Sequence, residues 1–178
     1  MGWEFDWLFA LQKLHNPVLD KLMILFSTMG DAGILWIAIA LVCCIIPRTR
    51  KCGIQMFISM LVVLFIGNLV LKNLFHRDRP CWIHQEVPLL VKSPKDFSFP
   101  SGHSMNSFTS ALTIFFYNRW YGTVALITAA IIAFSRLYNF VHFPTDVFTG
   151  IFIGVASAAV VNYLFKKWSN YSEPLGIR

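Results

Sequence analysis

Apolar runs close to the length of a bilayer-crossing helix constrain this chain more than any motif does. A spanning helix needs about 20 mainly apolar residues. Residues 54–71 and 147–165 are the clearest such runs, and others cover roughly 104–117 and 122–141. The run at 32–47 is short alone, but it extends back through "LMILFSTMGDAG", with a break at Gly30 and Asp31. The expected fold is an all-α polytopic membrane helix bundle of about five transmembrane helices. Its spans fall at 19–47, 52–74, 102–118, 121–141 and 145–166, within a single domain over 1–178. Charged residues make up 13% of the chain, against about 25% in soluble domains, which points to the same environment.

Residues 1–18 read differently. Trp3, Trp7, Ala10, Leu11 and Leu14 recur at helical spacing, while Glu4, Asp6 and Lys13 interrupt the run. This predicts an amphipathic helix at the membrane interface, with a short re-entrant piece packed on the bundle as the alternative. The acidic start lacks the basic region of a cleaved signal peptide. The net charge of +6 is scattered in short clusters between apolar runs. Such clusters fit loops at a membrane surface, and no nucleic-acid partner is expected. Cys43, Cys44, Cys52 and Cys81 form no CxxC pair, so they read as packing residues rather than a zinc site or disulfide framework.

Orientation follows from the basic clusters. "PRTRK" (47–51), "NRW" (118–120) and "KKW" (166–168) follow the first, third and fifth spans. The positive-inside rule places these ends in the cytoplasm. The expected location is the plasma membrane, with the opposite ends extracytoplasmic. Arg77, Arg79, Lys92 and Lys95 lie on that opposite side, against the rule unless they serve a ligand.

Three polar clusters stand at span ends: "KNLFHRDRP" (72–80), "PSGH" (100–103) and "SRLYNFVHFPTD" (135–146). The five-span path brings all three to one side. Lys72 and Arg79 are two helical turns apart, and Pro80 biases Arg79 away from helix, so the last turn unwinds there. With Arg136 they make three convergent cations, a match for the oxygens of one phosphoryl group. Ser101 suits an N-cap, Gly102 permits close backbone approach, and the helix start offers free N–H groups to an anion. His142 and Asp146 are four apart, so the carboxylate can fix one imidazole nitrogen and leave the other free as a nucleophile. His103 is then available as a general acid. His103, His142 and Asp146 could ligate zinc, but three cations would repel a metal, and no metal or other cofactor is expected.

At these residues the chain resembles the type 2 phosphatidic acid phosphatase family of lipid phosphate phosphatases, related in site design to vanadium haloperoxidases. The pattern K-x6-RP, PSGH, SR-x5-H-x3-D is met by Lys72 to Arg79–Pro80, Pro100 to His103, and Ser135–Arg136, His142 and Asp146. The resemblance implies that Lys72, Arg79, Arg136, Ser101 and Gly102 bind phosphate. It also implies that His142 attacks phosphorus to form a phosphohistidine, that Asp146 orients it, and that His103 protonates the leaving group, with no metal.

The substrates weighed are undecaprenyl diphosphate or monophosphate, phosphatidylglycerophosphate and phosphatidic acid. A vanadate-dependent haloperoxidase-like enzyme and a non-enzymatic phospholipid-binding membrane protein are the alternatives. Neither chain type nor oligomeric state is legible. His76, Arg77 and His84 read as solvated loop residues, and Gly150 and Gly154 as a GxxxG helix-packing pair.

Overall fold

The computed structural model of the protein describes residues 2–172. Met1 and 173–178, the ends of the expected 1–178 domain, lie outside the described residues. Every regular element among the described residues is helical. These are α1 (Gly2–Gln12), α2 (Pro17–Gly30), α3 (Ile34–Ile45), α4 (Arg50–Val63), α5 (Lys72–Phe75), α6 (Pro80–Ile83), α7 (Gly102–Tyr117), α8 (Arg119–Tyr138) and α9 (Pro144–Ser172). A single 3₁₀ turn, Asp31–Gly33, joins α2 to α3, and a π-helical stretch, Leu64–Leu71, carries α4 into α5.

Four helical stretches are long and apolar enough to cross a bilayer: Pro17–Ile45, Arg50–Ile83, Arg119–Tyr138 and Pro144–Trp168. α7 has 16 residues, a length of about 24 Å at the helical rise, yet it joins the two ends of the bundle. It begins beside His142 and Arg136, and its C-cap Asn118 is also the N-cap of α8. α7 packs against α4, α8 and α9 at the centre of the bundle. It buries Ser104, Ser107, Thr109, Ser110 and Thr113 among protein. A helix sheathed by other helices needs neither the length nor the apolar surface of a lipid-facing one.

Local chemistry explains the breaks. α2 starts at Pro17 because Asn16 caps it, Oδ1 accepting from the N–H groups of Val18 and Leu19. The expected interfacial segment of 1–18 therefore ends four residues short of α2, at Gln12. The break expected at Gly30 and Asp31 is a turn in which Ala32 and Gly33 adopt positive φ (50° and 71°). α8 stops at Tyr138 rather than near 141, because 139–143 form the turn that carries His142, with Phe140 at φ 57°.

Glycine contacts fix the packing of α9 on α7. A Cβ on Gly150 would lie 2.7 Å from the Ser101 carbonyl, and one on Gly154 would lie 2.6 Å from the Met105 carbonyl. The GxxxG pair lets the two backbones touch and draws the start of α9 to the start of α7. The three basic ends also meet, since Lys51, Tyr117 and Lys166 line one small cavity at the far end.

α1 uses two faces. Trp3, Trp7 and Leu14 of the expected apolar stripe are exposed, while Glu4 and Leu8 are buried against the bundle. Phe5 meets Phe143 edge-on at 5.2 Å, and Phe5 and Phe9 both meet the ring of His84. Glu4 is thus an inward residue rather than a polar interruption of an interfacial stripe.

Candidate active site

A cavity of about 620 Å³ opens at the end of the bundle where the three polar clusters meet. Its lining includes Lys72 and Arg79 from the first cluster, Gly102 and His103 from the second, and Arg136 and His142 from the third. The loop 84–98 closes one side with Lys92, Lys95 and Asp96, and α2 with the turn after it closes the other with Ser27, Thr28 and Asp31.

The cations reach the cavity by different routes. Lys72 stands at the start of α5, just beyond the π-helical stretch. The helix ends at Phe75, where His76 turns to positive φ (44°). Unwinding therefore begins three residues before Arg79, which is extended (φ −84°, ψ 151°) ahead of Pro80. Arg79 is almost wholly buried, with Nε bonded to the Asp96 carbonyl (2.7 Å) and Nη1 to the Val141 carbonyl (2.8 Å). Arg136, at the end of α8, donates from Nη1 to Ser27 Oγ, and its buried Nε has no partner among the described residues. A buried guanidinium N–H beside two further cations favours an anion in electrostatic terms.

Asp96 was not anticipated from the sequence. Its Oδ1 accepts from Arg79 Nη2 at 2.8 Å and its Oδ2 from Lys72 Nζ. Partial burial pushes its carboxyl up, but hydrogen bonds and charge from Lys72 and Arg79 outweigh this and hold it at about 2. The carboxylate thus bridges two of the three cations.

The histidines are held separately. His142 is fully buried in the 139–143 turn. Its Nε2 lies 3.0 Å from Arg79 Nη1, so Nε2 presents its lone pair to the cations. Its Nδ1 then carries the hydrogen and faces Ser98 Oγ (3.4 Å) and Asp146 Oδ2 (3.5 Å). Ser98 donates to the same Oδ2, as does the Phe143 N–H at 2.8 Å. Ser98 therefore faces Nδ1 together with Asp146, and no sequence signal distinguished it. Burial first, then the charges of Arg79, Arg136, Lys72 and His103, hold the His142 imidazole well below its usual range. His103 sits across the cavity with Nε2 2.9 Å from Asp31 Oδ1. Gly30 makes room for that ring, since a Cβ there would lie 2.6 Å from His103 Cδ2. Asp31 appeared in the sequence only as a helix break.

Ser101, expected at the phosphate, is buried and bonded within the protein. It does not line the cavity. Its Oγ accepts from Ser104 N (3.4 Å) and Ser104 Oγ (3.0 Å), and its own N–H donates to the Asp146 carbonyl (3.1 Å). It caps α7 and ties it to α9. Gly102 and His103 line the cavity at this helix start, where first-turn N–H groups have no intrahelical acceptor. Arg77 is likewise no solvated loop residue, because it pairs with Glu4 and Asp146. Among the described residues, no group of three or more His, Cys, Asp or Glu side chains could hold a metal ion.

The PAP2 superfamily model matches residues 53–170. An undecaprenyl-diphosphatase of Sulfolobus acidocaldarius is 34% identical over 149 residues, covering 81% of this chain and 71% of that protein. The crystal structure of a transmembrane PAP2 type phosphatidylglycerolphosphate phosphatase from Bacillus subtilis aligns with a TM-score of 0.76 at 25% identity, covering 93% of this chain and 86% of that one. A bacterial vanadium-dependent iodoperoxidase aligns with a TM-score of 0.75 at 15% identity, over 90% of this chain and 48% of that one. That last likeness is one of fold.

Proposed function

The chain belongs to the PAP2 superfamily and is a membrane lipid phosphate phosphatase, and we propose that its substrate is a polyprenyl diphosphate of the undecaprenyl type, cleaved at the extracytoplasmic face of the plasma membrane. The observation that carries this reading is the cavity itself. Lys72, Arg79 and the partly unpartnered Arg136 converge beside His142 Nε2, which Arg79 holds by a hydrogen bond. Lys92 and Lys95 at the rim add charge for a second phosphate, which a diphosphate brings and a lipid with one phosphate, such as phosphatidic acid, does not. The name of the Sulfolobus relative supports the same choice. The basic loops at the far end support the orientation.

In the proposed reaction, the terminal phosphoryl group displaces Asp96 and takes the hydrogen bonds of Lys72, Arg79 and Arg136. Arg79 moves its Nη1 bond from His142 Nε2 to a phosphoryl oxygen, which frees the lone pair. His142 Nε2 attacks phosphorus, and the N–P bond forms as the bond to the leaving oxygen breaks. His103 donates a proton to that oxygen, releasing the lipid monophosphate. Asp146 and Ser98 hold Nδ1–H and stabilise the positive charge on the phosphorylated ring. Water then attacks phosphorus with His103 taking its proton, the N–P bond breaks with its electron pair returning to His142 Nε2, and inorganic phosphate leaves. Positioning and charge stabilisation carry most of the rate in such transfers.

Phosphate release from a panel of lipid phosphates in detergent, with and without chelator, tests the reading. Preference for the prenyl diphosphate, undiminished by chelator, is expected. Preference for phosphatidylglycerophosphate or phosphatidic acid would overturn the substrate assignment. A reporter fused after Lys166 is expected inside the cell; one found outside would overturn the orientation.

A further inference from the structure

α1 is joined through buried ion pairs to the carboxylate that orients His142. Arg77 stands between two acids. Its Nη2 donates to Glu4 Oε2 at 2.6 Å and its Nη1 to Asp146 Oδ1 at 2.6 Å. Nη1 also reaches Thr145 Oγ1 at 2.6 Å, and that hydroxyl donates to Glu4 Oε1 at 2.7 Å. The guanidinium carbon lies 4.1 Å over the Phe143 ring. Glu4 and Asp146 are 4% and 0% exposed. Buried charges persist only when paired and hydrogen-bonded on all sides, so the four side chains stand or fall together. Asp146 spends one oxygen on Arg77 and the other on Ser98, the Phe143 N–H and His142 Nδ1. A shift of α1 therefore moves Arg77, and with it the carboxylate against which the imidazole is set.

We propose that Arg77 and Glu4 are positioning residues of the phosphatase reaction. Arg77 fixes the orientation of Asp146. Glu4, from the N-terminal helix, holds Arg77 and offsets its charge, so that α1 helps set the field at His142. The inference rests on His142 being the nucleophile.

The charge balance gives the two variants opposite signatures. His142 is faced by Asp146 from α9, Lys72 from α5, Arg79 from the following loop, Arg136 from α8 and His103 from α7. In Glu4→Gln the shape is kept, one negative charge is lost, and Arg77 bears on Asp146 alone. The protonated imidazole is then less favoured. In Arg77→Gln the cation beside Asp146 is gone and the protonated imidazole is more favoured.

The acid limb of kcat/KM reports protonation of the essential base in the free enzyme. It is expected to move to lower pH in Glu4→Gln and to higher pH in Arg77→Gln. In Arg77→Gln, kcat is expected to fall about 100-fold from misplacement of the dyad, with KM little changed. Arg77→Lys, which keeps the charge, is expected to return the limb to its wild-type position. Competitive inhibition by inorganic vanadate at an unaltered Ki reports an intact phosphate cradle in each variant. Limbs that stay put, or move the same way in both variants, overturn the proposal. So does loss of vanadate inhibition in Arg77→Gln together with an unshifted limb in Glu4→Gln. An inactive His142→Ala beside unsplit limbs sinks this inference alone; a fully active His142→Ala sinks the nucleophile assignment itself.

Discussion

The bundle contains two cavities of nearly equal size at its opposite ends, about 620 and 630 Å³, whose linings differ in kind. The first gathers Lys72, Arg79, Arg136, Asp31, Asp96, His103 and His142. The second, between α3, α7 and α8, is lined mainly by Leu35, Trp36, Ile39, Ile114, Val124 and Ala125, with Arg48 as its one ionised side chain. The difference teaches that volume says little about chemistry in a membrane protein. Ionisable groups near the bilayer are costly and persist where they have a task and partners. At the first end they satisfy one another, Asp96 on Lys72 and Arg79, Asp31 on His103, Ser27 on Arg136. Among the described residues, no ion pair joins the side chains that line the second cavity.

The largest test of that contrast is removal of the proposed nucleophile. His142→Ala is expected to cost at least about 1,000-fold in phosphate release, as loss of a covalent catalyst does. Arg136→Gln is expected to cost about 100-fold, the usual scale for one preorganised donor to a developing charge. The same variant tests the field at His142. Burial and four facing cationic or cation-forming groups disfavour the protonated imidazole, so the free nucleophile survives acidification below about pH 6.5, its ordinary value. The acid limb of kcat/KM is therefore expected below that value, and loss of Arg136 is expected to move it upward. An unmoved limb in Arg136→Gln would break the electrostatic account of the first cavity.

Asp96→Asn gives a smaller effect. Removing the resident anion is expected to tighten competitive inhibition by inorganic phosphate several-fold, on the scale of one charged hydrogen bond. Weaker inhibition would show that Asp96 builds the cradle instead of holding its place. The least effect belongs to the second cavity. Val124→Phe, which fills part of its exposed wall, is expected to leave kcat/KM within about twofold, as surface substitutions do. A large loss there would erase the contrast between the two ends.

Much of this was legible from local pattern. Hydropathy marked the crossing segments, and counting crossings brought Lys72, His103, Arg136 and His142 to one end before any contact was known. Gly150 and Gly154 announced close packing because small residues four apart have few other uses in a span. α7 was harder, since its buried hydroxyls lower its hydropathy while its neighbours, not lipid, surround it.

What the sequence by itself determined was therefore the membrane-spanning architecture and the phosphoryl chemistry, because both rest on periodic or closely spaced residues. What only the tertiary structure decided was who holds each candidate catalytic group. Asp31 reaches His103 across 72 residues of chain, Arg77 reaches Asp146 across 69, and Glu4 reaches Arg77 across 73. Asp96 and Ser98 enter from a loop without periodicity. A lone acid or hydroxyl carries no mark of its partner in sequence. It becomes a functional contact only when packing excludes water from around it and leaves one group within reach.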